Sequence, residues 1–119
     1  MLQHTSIETR AEDVEACVRF YALIGFCRVD PPPSLADRAT WVERAGMQIH
    51  LMRRDDAQHL PAGHLAVVVD DYDGTLTALR AAGFDPEPRQ EHWGAPRSFV
   101  RDPAGNRVEL MSAPPPASA

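Results

Sequence analysis

An α+β fold built from two tandem βαβββ modules is predicted by three observations. First, four landmarks recur along the 119-residue chain: His4 and His64, Gly25 and Gly83, Trp41 and Phe99, His50 and Glu109, each pair 58 to 60 residues apart. Second, each copy carries one helical stripe that stops at Gly-Phe. Third, each copy closes on a strand of one pattern, Gln48-Ile49-His50-Leu51-Met52 against Arg107-Val108-Glu109-Leu110-Met111. Self-similarity at a fixed period marks a duplicated supersecondary unit, and a unit of roughly 60 residues is marginal alone. The reading is therefore a single domain over 1–119: module one about 1–54, a linker about 55–62, module two about 63–112 and a tail 113–119.

The opening strand of module one is the alternating run Gln3-His4-Thr5-Ser6-Ile7. A helix is expected from about Ala11 to Ile24, because Val14, Cys17, Val18 and Tyr21 share one face at three- and four-residue spacing. Glu12, Asp13 and Glu15 fall in its first turn, where the helix dipole favours negative charge. Gly25 supplies the left-handed residue that ends it. Pro31-Pro32-Pro33-Ser34 is expected to be an extended connector, since proline cannot donate to a ladder. Module two opens on Gly63-His64-Leu65-Ala66-Val67, places a helix over about Tyr72–Ala82, and closes it at Gly83. Asp102-Pro103-Ala104-Gly105-Asn106 has the residues of a tight turn between strands. Pro114–Ala119 reads as a frayed end.

Composition excludes several functions. Twelve basic residues, every one arginine, stand against 17 acidic ones, for a net charge of −5 and a pI near 5.4. The arginines form no stripe, so there is no basic face to neutralise nucleic-acid phosphates or an anionic membrane. The longest apolar run, Leu65–Val69, is far short of the roughly 20 residues that span a bilayer. No basic-then-apolar leader is visible at the N-terminus. Cys17 and Cys27 fit no metal or redox spacing and are expected as reduced thiols. A soluble, cytoplasmic protein is the expectation.

The chemistry is expected at the repeated polar positions. Side chains alternate along a strand, so His4, His50, His64 and Glu109 all lie on the face opposite the aliphatic residues. The aliphatic face should pack on the helices; the polar face should line whatever the two sheets enclose. A lone strand histidine is ordinarily a half-exposed bystander. Three imidazoles and a carboxylate at symmetric positions on one face instead suit a borderline divalent metal: Zn, Ni, Co, Mn or Fe(II). His59 and His92 lie in expected loops and are read as solvated. Trp41 and Phe99 are read as packing residues.

The segment Arg101-Asp102-Pro103-Ala104-Gly105-Asn106-Arg107-Val108-Glu109-Leu110, with the Gly-Phe after each helix, resembles the vicinal oxygen chelate superfamily. That group includes glyoxalases, bleomycin-resistance proteins and extradiol dioxygenases, and the resemblance runs to Met111. It implies paired βαβββ modules whose curved mixed sheets form a cup around one divalent metal ion per site. The ligand positions carry over as His4, His50, His64 and Glu109. Histidine at position 50 departs from the glutamate usual in glyoxalases, which removes the second carboxylate of a two-base isomerase. The implied activity is a glyoxalase I-like isomerase or lyase that chelates a small substrate through two adjacent oxygens, with the metal as Lewis acid and Glu109 as candidate general base. Trp93, Arg97 and Arg101 fall near the family's cavity mouth, where arginine can bind an anionic substrate. Met52 and Met111 line the cavity or the core. A homodimer is also implied, with His4 supplied by the same chain or by the partner. Two alternatives stand beside this reading. One is a ligand-sequestering protein of the bleomycin-resistance type. The other is an Fe(II) extradiol-dioxygenase-like or fosfomycin-resistance-like enzyme, although the cation-binding loop of the latter is not found.

Overall fold

A computed structural model of the chain describes residues 1–117. Ser118 and Ala119, the end of the expected tail, lie outside the described residues. The elements follow the order expected from the repeat. In the first half they are β1 (His4–Thr9), α1 (Val14–Ala22), β2 (Cys27–Val29), β3 (Ala39–Arg44) and β4 (Met47–Arg53). In the second half they are β5 (Leu65–Val68), α2 (Tyr72–Ala81), β6 (Glu87–Pro88), β7 (Arg97–Arg101) and β8 (Arg107–Met111). Each half makes a four-stranded sheet with the same strand order, β1-β4-β3-β2 and β5-β8-β7-β6. In both, the opening and closing strands pair in parallel and the others antiparallel. The α+β class and the two βαβββ units are thus as the repeat implies.

Local chemistry explains the element ends. The helix start expected at Ala11 is a short 3-10 turn, Ala11–Asp13, before α1 proper begins at Val14. Both helices stop in the same way. Gly25 and Gly83 take φ values of +99° and +91°, a region costly for any residue with a Cβ. The next amide then reaches back five residues, Phe26 N to Tyr21 O at 2.9 Å and Phe84 N to Leu79 O at 3.0 Å. This is the Schellman arrangement, and it seats each phenylalanine on the helix it terminates. The proline run does not stay extended throughout: Pro33–Leu35 forms a 3-10 turn, which proline's fixed φ suits at a helical start.

The aliphatic strand faces and the helices share one core. It contains Phe20 and Tyr21 from α1, Leu79 from α2, Leu51 from β4, and Val108 and Leu110 from β8. The halves meet there. Phe20 packs edge-on against Phe84 with centroids 4.9 Å apart, and the Tyr21 hydroxyl donates to Asp102 Oδ2 at 2.7 Å. Asp102 is buried and also accepts from the amides of Ala104 and Asn106 at 2.9 Å each. Burial is the largest influence on its carboxyl and raises its pKa; these hydrogen bonds act the other way. Among the described residues, no helix is long and apolar enough to cross a membrane.

Candidate metal and substrate site

Strand parity places the expected residues on the faces turned away from this core. On the first sheet, Ile49 and Leu51 are buried beneath the helices, while His4 and Ser6 are exposed on the other side. On the second, Val67 and Val69 are buried and Ala66 and Val68 are exposed. His64 sits one residue ahead of β5 rather than inside it, and the alternation still carries it to the polar face.

The first sheet carries a stack of three rings. His50 on β4 lies directly across from Trp41 on β3, and their rings are parallel within 3°, with centroids 4.0 Å apart. The other face of His50 is covered by His4, at 4.0 Å and 13°. His50 is only 8% exposed as a result. Burial, and secondarily the proximity of His4, lowers its pKa from the ordinary 6.5, so the neutral ring is favoured. Its Nε2 is 2.9 Å from Gln48 Oε1. Trp41 was expected merely to pack; it defines the environment of His50. The two-residue turn Ala45–Gly46, with both residues at positive φ, sets this register by joining Arg44 to Met47, and its length is legible in the sequence.

The second sheet holds charge at the equivalent places. Glu109 on β8 is 6% exposed, and its two oxygens have different partners. Oε2 accepts from Arg97 Nε at 2.8 Å, while Oε1 is 3.2 Å from His64 Nε2. His64 Nδ1 is 3.0 Å from the Ala62 carbonyl. A carbonyl can only accept, so Nδ1 bears the hydrogen. In the neutral ring the Nε2 lone pair then faces a carboxylate oxygen, an arrangement that favours a cation between them. Metal-bound histidines typically donate their second N–H to a backbone carbonyl in this way. With metal–ligand bonds of about 2.0–2.2 Å, two neighbouring ligands stand about 3 Å apart. The spacing of the pair therefore fits a shared divalent ion.

The four expected ligands come together in pairs, not as one group. Among the described residues, no three His, Cys, Asp or Glu side chains are gathered closely enough to hold a metal. The way the two sheets lie together explains this. Arg44 Nη1 donates to the Val68 carbonyl at 2.7 Å, and Asn106 Nδ2 donates to the Glu8 carbonyl at 3.0 Å. The end of β5 thus lies by the end of β3, and the start of β8 by the end of β1. His64 shares a cleft of about 430 Å³ with Thr5, Ser6, Ile7 and Glu8 of β1, and His4 is not among the residues that line it.

The other expected substrate residues are distributed as follows. Arg97 is occupied by Glu109, with the Trp93 ring 6.0 Å from its guanidinium, and the indole N–H of Trp93 donates to the Ala113 carbonyl at 3.0 Å. Arg101 is exposed at the end of β7. Met52 is half-buried and Met111 buried, at matching places on β4 and β8. His59 and His92 are exposed in loops; the His59 ring rests near Gly105, where an added Cβ would approach it to 3.1 Å. Arg107, to which the sequence assigns no role, joins Glu109 on this face. Its guanidinium lies over the Phe99 ring at 3.8 Å, and its place two residues before Glu109 on an alternating strand was the available signal.

The family model of the Glyoxalase/Bleomycin resistance protein/Dioxygenase superfamily matches residues 2–110. No curated protein matches the sequence. Among solved structures, the chain is similar to a putative glyoxalase family protein from Bacillus anthracis, at 23% identity over 93% of each chain and a TM-score of 0.83. It is also similar to lactoylglutathione lyase from Agrobacterium tumefaciens, at 23% identity over 93% of this chain and 92% of that one, with a TM-score of 0.69. The fosfomycin resistance protein FosX from Listeria monocytogenes matches at 18% identity over 96% and 91%, with a TM-score of 0.76. At these identities the likeness establishes the fold.

Proposed function

We propose that this chain, which belongs to the glyoxalase/bleomycin resistance protein/dioxygenase superfamily, is a divalent-metal-dependent isomerase or lyase of the glyoxalase type. Its substrate is a small molecule with two adjacent oxygens. The observation that carries this reading is the His64–Glu109 pair, 3.2 Å apart with the outer nitrogen of the imidazole anchored on a backbone carbonyl. His64 and Glu109 hold the ion from the second sheet, and His4 and His50 complete the set. Because the two pairs stay apart within one chain, a second copy of the chain supplies the latter pair, so the active form is a homodimer. Both exposed polar faces are then covered, and the neutral state favoured at His50 is the ligating form of imidazole.

The bound ion, one of Zn, Ni, Co, Mn or Fe(II), supplies Lewis-acid polarisation of a substrate oxygen. Glu109 is the candidate base for the substrate proton, while Arg97 fixes the orientation of the carboxylate through Oε2. A second reading, sequestration of a ligand without metal, is favoured by that same ion pair, which already gives Glu109 a cationic partner. Elemental analysis separates the two. Protein purified without added metal is expected to carry about one divalent ion per site, lost in His64→Ala and Glu109→Ala. Metal content unchanged in both variants overturns the ligand assignment; protein that takes up no metal on dialysis against zinc leaves the sequestering reading.

A further inference from the structure

We propose that Arg101 and Arg107, beside Phe99, form a binding site for an oxyanion group of the substrate, a carboxylate or a phosphate. The inference rests on the reading of this sheet face as the one that meets substrate, and it adds the charge class of that substrate. The two arginines stand directly opposite each other across β7 and β8. Like charges in that position repel. Neither forms an ion pair among the described residues, whereas their neighbours do: Arg97 with Glu109 at 2.8 Å and Arg89 with Glu87 at 3.5 Å. Arg101 donates to the Gly105 carbonyl at 3.0 Å and Arg107 to the Ala62 carbonyl at 3.3 Å. A guanidinium has five N–H donors, so most of the donors of both groups remain available.

The surroundings hold these donors in place. Arg107 lies over the Phe99 ring at 3.8 Å, a cation–π contact that limits its rotamers and the entropy lost on binding. Arg101, Arg107 and Phe99 line a cleft of about 390 Å³ together with Arg89, Asp85 and Glu87. Three guanidiniums thus face two carboxylates, one of which is already bridged to Arg89. An oxyanion between Arg101 and Arg107 relieves their repulsion and accepts from both forks, the geometry in which arginine binds carboxylate and phosphate best. Arg107 precedes Glu109 by two residues on one strand face, a step of about 7 Å. The substrate is therefore an acid whose anionic group and reacting carbon meet the same strand face.

The site is tested by titrating the full chain, as purified, with inorganic phosphate and separately with acetate, following the arginine Nε–Hε signals by NMR at constant ionic strength. Saturable shifts of the Arg101 and Arg107 signals are expected, with affinity about tenfold weaker in Arg101→Gln and in Arg107→Gln. Arg19→Gln, on the exposed side of α1, binds as the unaltered protein does. Saturation by phosphate alone or by acetate alone identifies which oxyanion the site takes. Affinity unchanged in both variants, or signals that drift as they do with sodium chloride, overturns the site. Arg101 is exposed, so its variant remains informative even where Arg107→Gln fails to fold. Metal content is expected to be the same in both arginine variants and the unaltered protein, so loss of this site and loss of the metal reading are separate results.

Discussion

On the first sheet His50 lies between the rings of His4 and Trp41. On the second, the equivalent positions hold Glu109, His64 and Phe99, and the arrangement is different. An imidazole can be neutral and flat, so it stacks and is buried among rings. A carboxylate has no ring face to offer; buried to the same degree, it draws Arg97 to one oxygen and has His64 Nε2 3.2 Å from the other. Phe99, with no ring opposite to stack on, meets His64 edge-on and takes Arg107 over its face. One exchange between the repeats, histidine for glutamate, thus separates a stacked face from a charged one. It also accounts for Arg97 at the side of Glu109.

The contrast can be broken from either side, and the largest effect is expected on the charged half. Glu109→Ala leaves the half-buried Arg97 guanidinium without its carboxylate and should cost about 3 kcal/mol in urea unfolding. The double variant Glu109→Leu with Arg97→Met should recover most of that loss, because removing both charges also removes their desolvation penalty. A double variant as unstable as the single one would mean that the pair does not determine the packing there. Trp41→Ala on the stacked half should cost about 2 kcal/mol, from lost burial and lost stacking. It should also uncover His50 and bring its pKa back up toward 6.5, as read by NMR titration of metal-free protein. The sign follows from linkage. A histidine held below its unfolded value contributes stability that is complete above pH 6.5 and lost as pH falls through the folded value, and Trp41→Ala should flatten that dependence. A His50 titration unmoved by the substitution would remove the stack as the cause. The smallest effect belongs to Arg101→Gln, which relieves a like-charge pair at the surface. Stability should change by less than about 0.5 kcal/mol, toward a gain.

Much of this contrast was legible in advance, and its unread part has a physical pattern. The repeat located His4, His50, His64 and Glu109, and alternation assigned them to the face away from the helices, because both signals are local. The Gly-Phe helix ends were readable for the same reason. Pairings that depend on how strands lie across a sheet were not read. Trp41 opposite His50 was recoverable from the two-residue Ala45–Gly46 turn, and Arg97 beside Glu109 from the hairpin closed by Asp102–Asn106. The way the two sheets lie together left no comparable mark, since it is held by Arg44 and Asn106 reaching backbone carbonyls in the other half.

The seam between the halves has a consequence for the chain as a piece of architecture. Tyr21 reaches Asp102 and Phe20 packs on Phe84, so each half's helix is covered partly by residues of the other. The connector between β4 and β5 carries no strand or helix. A break in that connector would interrupt no ladder, and the two fragments would still need each other to hide their apolar stripes. The covalent link is therefore not what holds the two apolar stripes together. The seam is what holds them, and it would oppose any return of either repeat to independent life.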